Sequence, residues 1–280
     1  MEANKLEKGA LYVVGTPIGN LSDFSPRAAE TLAGADFIAA EDTRVTMKLL
    51  NHFGIKKPLV SYYEHNKQEK GGVIADRIAA GETCALVSDA GMPAISDPGE
   101  DLVALCAARG IRVLVVPGPS AVISALAVSG LPTGRFTFEG FLSVNKKSRR
   151  EHLESVQNEV RTMVFYEAPH KLPYTLQDMA AVFGDRRIAL VREITKIHEE
   201  CIRTTLVQAA EYYAQNAPKG EFVLVIEGAK PAEEKEMTLE EAVQMAKAAM
   251  ENGSSASDAA KEAARLSGFK KGEIYKSLMA

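Results

Sequence analysis

The first 130 residues alternate short apolar, β-branched runs with segments that have the start and stop signals of helices, such as the N-cap signal of Ser25 followed by Pro26. The apolar runs occupy residues 11–14, 37–40, 59–61, 83–88 and 112–116. Strands that alternate with helices usually pair in parallel and carry the helices on the faces of the sheet. We therefore expect residues 1–130 to form an α/β domain built on a parallel sheet.

A second set of apolar runs begins after the turn-forming segment LPTG at residues 131–134. These runs occupy residues 136–138, 163–166, 188–192, 201–205 and 222–226. A chain of 280 residues is long enough to build more than one hydrophobic core. We expect a second α/β domain over residues 131–230, followed by a polar linker, KPAEEK, at 230–235.

The last segment, residues 237–280, changes to an alanine-rich composition and predicts a small all-helical module. Ser255 and Asp258 resemble a capping box, and Ala259, Ala263 and Leu266 fall on one helix face. Two short helices joined by a glycine-containing turn resemble a helix-turn-helix. A helical cap packed on the preceding domain is an equally good interpretation.

Composition narrows the class of protein. The chain is 46% hydrophobic and 25% charged, which is close to the average for folded proteins, and it has no apolar run long enough to span a bilayer. Its first ten residues contain no apolar core of a signal peptide, so we expect a cytoplasmic protein without a membrane partner. Since the net charge is -4, binding of nucleic acid would require a local basic patch.

Cysteine and histidine spacing gives no sign of a metal site. Cys84, Cys106 and Cys201 are far apart and form no C-x-x-C pair, so we expect buried thiols rather than disulfides or zinc ligands. Neither His170 nor His198 has a partner at the spacing of metal ligands. We predict no metal site.

Three loops rich in glycine and proline each follow a predicted strand. They are GTPIGN at 15–20, SDAGMPAISDPG at 88–99 and PGPSA at 117–121. The first has G-x-x-x-G spacing, which matches neither the dinucleotide fingerprint nor a Walker loop. Because the carboxyl ends of parallel strands share one edge of a sheet, we expect the three loops to form one ligand pocket.

Within these loops, individual residues have different expected roles. Asp89 could accept hydrogen bonds from ribose hydroxyls or a ligand amine, and Gly91 would let the backbone approach the ligand. Asp97 is expected to cap the helix that begins after Pro98, and Ser120 to be the N-cap of the next helix.

Charged residues follow strands elsewhere in the chain. FYEAPHK at 165–171 and VREITKIHEE at 191–200 could face the pocket from the second domain, although solvated salt bridges would explain most of their charges. In EDTR at 41–44, Asp42 is a candidate N-cap that would leave Arg44 to contact phosphate. The run NKKSRR at 145–150 is either a phosphate-binding patch or the solvated start of a helix.

These motifs occur together, and their order and spacing resemble the bacterial 16S ribosomal RNA cytidine 2'-O-methyltransferases of the tetrapyrrole methylase superfamily, over about residues 11–228. The resemblance implies two α/β domains with S-adenosylmethionine in the cleft between them, a helical C-terminal module, a 16S rRNA or small-subunit substrate and a homodimer. It implies a set of cofactor-binding residues: Pro17, Ile18, Asp89, Gly91, Met92, Ser120, Ala121, Tyr166 and Glu221. The RNA-binding candidates are Arg44, Lys146, Lys147, Arg149 and Arg150.

Methyl transfer to a ribose hydroxyl is an in-line displacement that depends on positioning and requires no metal. The hydroxyl is a weak nucleophile, so a base or a cation that stabilises the developing alkoxide should lie close to the methyl group. The catalytic candidates are Glu167, His170, Glu193 and Lys196, of which Glu193 and Lys196 are expected to matter most.

Two other functions are compatible with the sequence. A C-methyltransferase acting on a tetrapyrrole would share the cofactor cleft, but it has no obvious need for the basic run, the EDTR segment or the helical tail. A ligand-sensing regulator could use the cations of the tail to bind nucleic acid.

Overall fold

The computed structural model describes residues 5–230 and 237–279. The chain divides into two compact units, Met1–Ala229 and Lys230–Ala280. Of the expected linker at 230–235, all but Lys230 lies outside the described residues.

The first half of the larger unit is built on a parallel sheet of five strands. Its strands are β1 (Ala10–Val14), β2 (Phe37–Ala40), β3 (Leu59–Ser61), β4 (Cys84–Val87) and β5 (Arg112–Val116). They are arranged in the order β3-β2-β4-β1-β5, and every pair is parallel, as predicted. The three strands that precede the glycine-rich loops, β4, β1 and β5, are therefore direct neighbours.

Five helices follow these strands, and the predicted caps begin several of them. The helices are α1 (Pro26–Gly34), α2 (Thr43–His52), α3 (Lys67–Ala79), α4 (Gly99–Ala108) and α5 (Ala121–Ser129). The side chains of Ser25 and Asp42 accept backbone N–H groups at the starts of α1 and α2. Asp97 Oδ1 accepts the N–H of Gly99, the first residue of α4, at 2.8 Å. These capping predictions are confirmed.

Side chains of β1 alternate between the two faces of this sheet, as a strand requires. Ala10, Tyr12 and Val14 pack into a core that includes residues of α1, whereas Leu11 and Val13 pack with residues of α3 and α4 on the other face. Both faces are therefore covered, which is usual for a parallel sheet.

The second half of the unit is built on a mixed sheet. Its strands are β6 (Phe136–Phe141), β7 (Thr162–Glu167), β8 (Arg187–Arg192), β9 (Glu200–Thr205) and β10 (Phe222–Ile226). Their order is β6-β7-β10-β8-β9, in which β6 and β7 are parallel and the other pairs are antiparallel. β6 extends three residues beyond the predicted run and has a register shift between Phe138 and Gly140.

Helix α5 connects the two sheets. It follows β5 of the first sheet, but its buried side chains Val122, Ala125 and Leu126 pack on one face of the second sheet. The other face is covered by α6 (Lys146–Ser155), α7 (Leu172–Phe183) and α8 (Leu206–Gln215). The loop between β5 and α5 therefore lies where the two sheets meet.

The described residues of the smaller unit form three helices, α9 (Leu239–Glu251), α10 (Ala256–Ser267) and α11 (Lys271–Met279), in agreement with the predicted helical module. A reciprocal capping box at Thr238 and Glu241 begins α9, and the side chain of Ser255 caps α10. Of the three residues predicted to share one helix face, Ala259 and Ala263 are buried and Leu266 is exposed.

Two further expectations concern the burial of the cysteine side chains and the presence of membrane-spanning helices. Cys84 and Cys106 are buried as predicted, but Cys201 on the outermost strand β9 is only half-buried. Among the described residues, no helix is long and apolar enough to cross a membrane.

Candidate functional site

The three glycine-rich loops lie together and hydrogen-bond to one another. Thr16 and Gly91 exchange two backbone hydrogen bonds of 2.9 and 3.2 Å, and the N–H of Gly15 donates to the carbonyl of Val116. The predicted convergence of these loops follows from the adjacency of β4, β1 and β5. They form one continuous backbone surface at the carboxyl edge of the sheet.

The first and third loops pack closely against each other at Gly15 and Gly118. A Cβ added to Gly15 would lie 2.6 Å from the Cα of Gly118, and one added to Gly118 would lie 2.8 Å from the Cα of Gly15. The neighbouring atoms are backbone, so neither residue could be larger without moving a loop. The Met92 sulfur supports this approach by accepting the N–H of Gly118 at 3.2 Å.

A cavity of 530 Å³ lies between these loops and the second sheet. Five of the nine predicted cofactor-binding residues line it: Ile18, Asp89, Ala121, Tyr166 and Glu221. Pro17 instead lines a second cavity of 360 Å³ beside the first loop.

The other three cofactor candidates, Gly91, Met92 and Ser120, shape the loops without lining either cavity. Ser120 is the N-cap of α5 as predicted, although its side chain makes no capping hydrogen bond among the described residues. The positive φ of Gly91, 86°, is what allows the bridge to Thr16.

The wall contributed by the second sheet is aromatic. The ring of Tyr166, at the end of β7, lies 5.2 Å from the ring of Phe141 and 5.0 Å from that of Phe138. Phe141 and Tyr166 line the cavity, and Phe141 is exposed there. The sequence prediction missed Phe141 because it ended β6 at Phe138.

The wall contributed by the first sheet is acidic. Glu41, Asp89 and Asp97 line the cavity, and Asp89 is held by the backbone N–H of Asp42 at 3.0 Å. Burial, followed by the charges of Asp89 and Asp97, raises the pKa of Glu41. Glu41 was not predicted as a site residue. It directly follows β2, which pairs with β4, and that adjacency is the signal that could have identified it.

The raised pKa of Glu41 predicts a pH-dependent cost to stability. A carboxyl with a folded-state pKa above its ordinary value of 4.5 stabilises the fold only while it is protonated, so this contribution is lost as the pH rises through the folded pKa. Glu41→Gln should therefore raise the melting temperature at pH 7 and leave it nearly unchanged at pH 4. Thermal unfolding across this range is the measurement. Glu82→Gln is the control, and we expect it to have the opposite effect on the melting temperature at pH 7, because the hydrogen bond from Arg77 lowers the pKa of Glu82.

The loop after β8 holds a cation against the cavity. Lys196 Nζ lies 2.9 Å from Glu193 Oε1 and 3.0 Å from Glu221 Oε2, and Lys196 lines the cavity. Partial burial opposes the charge of this amine, but the two carboxylates outweigh burial and raise its pKa. The hydrogen bond from Lys196, together with that from the backbone of Glu221, lowers the pKa of Glu193. Lys196 is therefore a charged donor, whereas Glu193 is a weak base.

Strained backbone and a close approach fix this loop. Glu193 and Thr195 have φ values of 51° and 65°, which are costly for residues with side chains. A Cβ added to Gly19 would lie 2.6 Å from Lys196 Cγ, so the second glycine of the G-x-x-x-G pattern contacts the stem of the lysine. Gly15 thus packs on the third glycine-rich loop, at Gly118, and Gly19 packs on the loop after β8, at Lys196.

The other two catalytic candidates differ in position, because Glu167 lines the cofactor cavity whereas His170 does not. The side chain of Glu167 is fully buried, with 0% exposed, and pairs with Lys171 at 2.9 Å and with the hydroxyl of Thr175 at 2.5 Å. His170 is exposed and does not line the cavity. Both side chains were predicted near the cavity because they lie at or after the end of β7; Glu167 lies there and stabilises the turn into α7, whereas His170 faces solvent.

The predicted RNA-binding residues differ in their environment. Lys146, Lys147 and Arg150 are exposed at the start of α6, which is capped by Asn145. Arg44 is exposed too, but it pairs with Asp42 at 2.6 Å. The prediction for Arg149 needs correction.

Arg149 is buried and forms a structural ion pair. Its guanidinium contacts Asp178 of α7 at 2.6 Å and donates to the carbonyl oxygens of Ser143 and Val144 at 3.2 Å. The helix turns this residue inward while its neighbours face solvent, and a count of basic residues does not reveal that.

Alanine substitutions of the buried Arg149 and the exposed Arg150 should have different effects on the free energy of unfolding. Arg149→Ala should lower the free energy of unfolding by about 3 kcal/mol, because it leaves Asp178 without its partner. Arg150→Ala should change it by less than about 1 kcal/mol, because the Arg150–Glu154 pair is on the surface. Urea unfolding measures both, and equal losses for the two variants would contradict this assignment.

Comparison with known proteins agrees with this arrangement. Residues 10–210 match the family of tetrapyrrole (corrin/porphyrin) methylases. A protein of Synechocystis sp. curated as ribosomal RNA small subunit methyltransferase I is 46% identical over 268 residues, which cover 95% of this chain and 96% of that protein. A protein of Halalkalibacterium halodurans with the same curated name is 52% identical over 222 residues, or 79% of this chain and 77% of that protein.

A solved structure shares the fold of the larger unit. Uroporphyrin-III C-methyl transferase from Thermus thermophilus, complexed with S-adenyl homocysteine, superposes with a TM-score of 0.55 at 17% identity and covers 77% of this chain and 96% of that one. At this identity the likeness shows the fold alone. With a family match over residues 10–210 and near-full-length relatives at 46% identity, the chain belongs to the tetrapyrrole methylase family.

Proposed function

We propose that the protein is an S-adenosylmethionine-dependent methyltransferase that modifies the 2'-oxygen of a cytidine in the RNA of the small ribosomal subunit. The near-full-length identity to curated ribosomal RNA small subunit methyltransferases carries this proposal. The cavity supports it, since it combines an acidic wall, an aromatic wall and a charged lysine.

The lining of the cavity fits S-adenosylmethionine. This cofactor carries a cationic sulfur, an ammonium group and an adenine ring, and when bound it supplies an electrophilic methyl group. Asp89 and the neighbouring carboxylates complement the positive charges. Tyr166 and Phe141 offer faces for stacking or for a cation. The absence of a Cβ at Gly15 and Gly118 lets the first and third loops pack against each other beside the cavity.

The residues of the chain supply positioning and electrostatics for the transfer. Lys196, which is charged and held by Glu193 and Glu221, stabilises the negative charge that develops on the attacking oxygen. Glu41 accepts the proton of the hydroxyl, because its raised pKa makes it a better base near neutral pH than an ordinary carboxylate. Glu193 acts through Lys196 as a positioning residue.

The substrate side of the proposal rests on exposed cations. Lys146, Lys147 and Arg150 give a basic patch for RNA phosphates on an acidic protein, so binding should weaken as salt increases. We place the protein with ribosomes in the cytoplasm, and we propose that it acts as a homodimer. Sedimentation tests the dimer separately from activity.

One assay distinguishes the proposed function from its alternatives. The protein is incubated with labelled S-adenosylmethionine and, in parallel, with unmodified small subunits, the corresponding naked RNA, or uroporphyrinogen. The proposal expects label in the RNA and none in the tetrapyrrole. Label in the tetrapyrrole alone supports the C-methyltransferase, and cofactor binding with no transfer to any substrate supports the regulator.

A further inference from the structure

A second cavity of 360 Å³ lies on the other side of the first loop from the cofactor cavity. We call the segment 16–19 of that loop the partition loop. Ile18 lines the cofactor cavity, whereas Pro17 and Gly19 line the second one. Ser88 and Asp89 line both, so the two cavities meet at the start of the loop after β4.

We propose that this second cavity binds the target nucleoside of the RNA, with its base inside and its ribose beside Asp89. This inference rests on the proposed function and adds the site that recognises the substrate. Two ligands that react must lie within about 3.5 Å of each other at the reacting atoms, which requires adjoining sites. Cavities that share Asp89 and Ser88 meet this requirement.

One face of α2 forms the side wall of the second cavity. Val45, Thr46, Lys48, Leu49 and His52 line it, with the spacing of a single helical face. Val45 and Leu49, together with Leu21 from the first loop, are apolar and provide surfaces against which a base can pack.

Three of the residues that line the cavity are buried and carry short hydroxyls. Thr16, Thr46 and Ser88 have 2%, 3% and 7% of their surface exposed and line the cavity. The hydroxyls of Thr16 and Ser88 donate to backbone carbonyls of the loop after β4, and their oxygens can still accept hydrogen bonds from the polar edge of a base. Apolar walls with a few fixed polar groups are typical of small-ligand sites.

Two side chains that can contact RNA phosphates lie on one side of this cavity. Lys48 and His52 are exposed and lie four residues apart on α2, where they can contact the phosphates on either side of an extruded nucleoside. Lys196 lies close as well, because its stem contacts Gly19 of the partition loop. A ribose beside Asp89 would thus lie at the border of the cofactor cavity, which the lysine that stabilises its oxygen also lines.

A bulky side chain in the second cavity should prevent binding of the target nucleoside without changing the affinity for S-adenosylmethionine. Val45→Trp places a bulky ring in this cavity and leaves the cofactor cavity untouched. We expect the affinity for S-adenosylmethionine, measured by calorimetry, to stay within about twofold of wild type, since Val45 does not line the cofactor cavity. We expect kcat/KM for unmodified small subunits to fall by at least about tenfold. Val73→Trp, at an exposed position on α3, is the matched control and should retain both.

A second variant covers the case in which Val45→Trp does not fold. Lys48→Glu changes only an exposed side chain of the cavity and should weaken binding of small subunits. It should also reduce the slope of log affinity against log salt by about one, as expected for the loss of one phosphate contact. Its cofactor affinity should again be that of wild type.

The outcomes separate this inference from the proposed function. If wild type methylates the RNA and a folded Val45→Trp does so at the wild-type rate, the second cavity does not hold the nucleoside. An unchanged affinity and salt slope for Lys48→Glu also overturns the inference. If wild type transfers no methyl group to RNA at all, the proposed function itself fails.

Discussion

Replacing Lys196 by alanine is expected to lower kcat for RNA methylation by about 100- to 1,000-fold, the effect of removing one preorganised donor to a developing oxyanion. The lysine lines the cofactor cavity, and its ion pairs with Glu193 and Glu221 raise its pKa and keep it charged. Single-turnover methylation of unmodified small subunits with saturating S-adenosylmethionine measures the chemical step.

Two further variants show whether the lysine acts through its charge. Lys196→Arg keeps a cation and should recover part of the lost rate, whereas Lys196→Met should behave like alanine. Glu193→Gln should cause a smaller loss than Lys196→Ala, because Glu221 still holds the amine. A near-normal rate for Lys196→Ala would remove this residue from the mechanism.

Replacing Gly118 by alanine is expected to destabilise the larger unit strongly, because the added methyl group would meet the backbone of Gly15. The added Cβ would lie 2.8 Å from the Cα and 2.9 Å from the carbonyl carbon of Gly15, and backbone cannot move aside as a flexible side chain can. We expect a loss of about 3 kcal/mol in the free energy of unfolding, the upper end of overpacking penalties. Because the first and third loops would separate, cofactor affinity should fall as well.

Gly72→Ala is the matched control for this change. Gly72 lies inside α3, and no atom is within 4 Å of its added Cβ. Alanine favours the helix there, so stability should rise by up to about 1 kcal/mol and cofactor affinity should not change. If Gly118→Ala were as stable as wild type and bound cofactor normally, the close contact between the loops would not be required.

Much of the fold could be predicted because local signals agreed with the tertiary structure. The alternation of apolar strands with capped helices predicted β1–β5, and Ser25, Asp42 and Asp97 marked helix starts that the structure confirms. The pocket-forming loops could be predicted for the same reason, since parallel order alone brings their ends to one edge. The mixed parallel and antiparallel pairing of the second sheet could not be predicted, because an apolar run does not indicate in which direction the strand pairs with its neighbours.

The candidate site was predicted less completely, since side-chain orientation is a tertiary property. Glu167 and His170 are both close to the end of β7, yet Glu167 lines the cavity and accepts a hydrogen bond from Thr175 whereas His170 is exposed and does not line the cavity. Arg149 and Arg150 are adjacent, yet one is buried against Asp178 and the other is exposed. The spacing of residues in the sequence indicated which segments carry the charged side chains, but not whether each side chain faces the cavity, the core or solvent.

The most direct test of this account is to identify the methylated nucleoside. Unmodified small subunits are incubated with the protein and labelled S-adenosylmethionine, and the RNA is digested to nucleosides and analysed by mass spectrometry. The account predicts one labelled product, 2'-O-methylcytidine, formed by wild type and lost in Lys196→Ala. A label on a base, on another nucleoside or on no RNA product would contradict it.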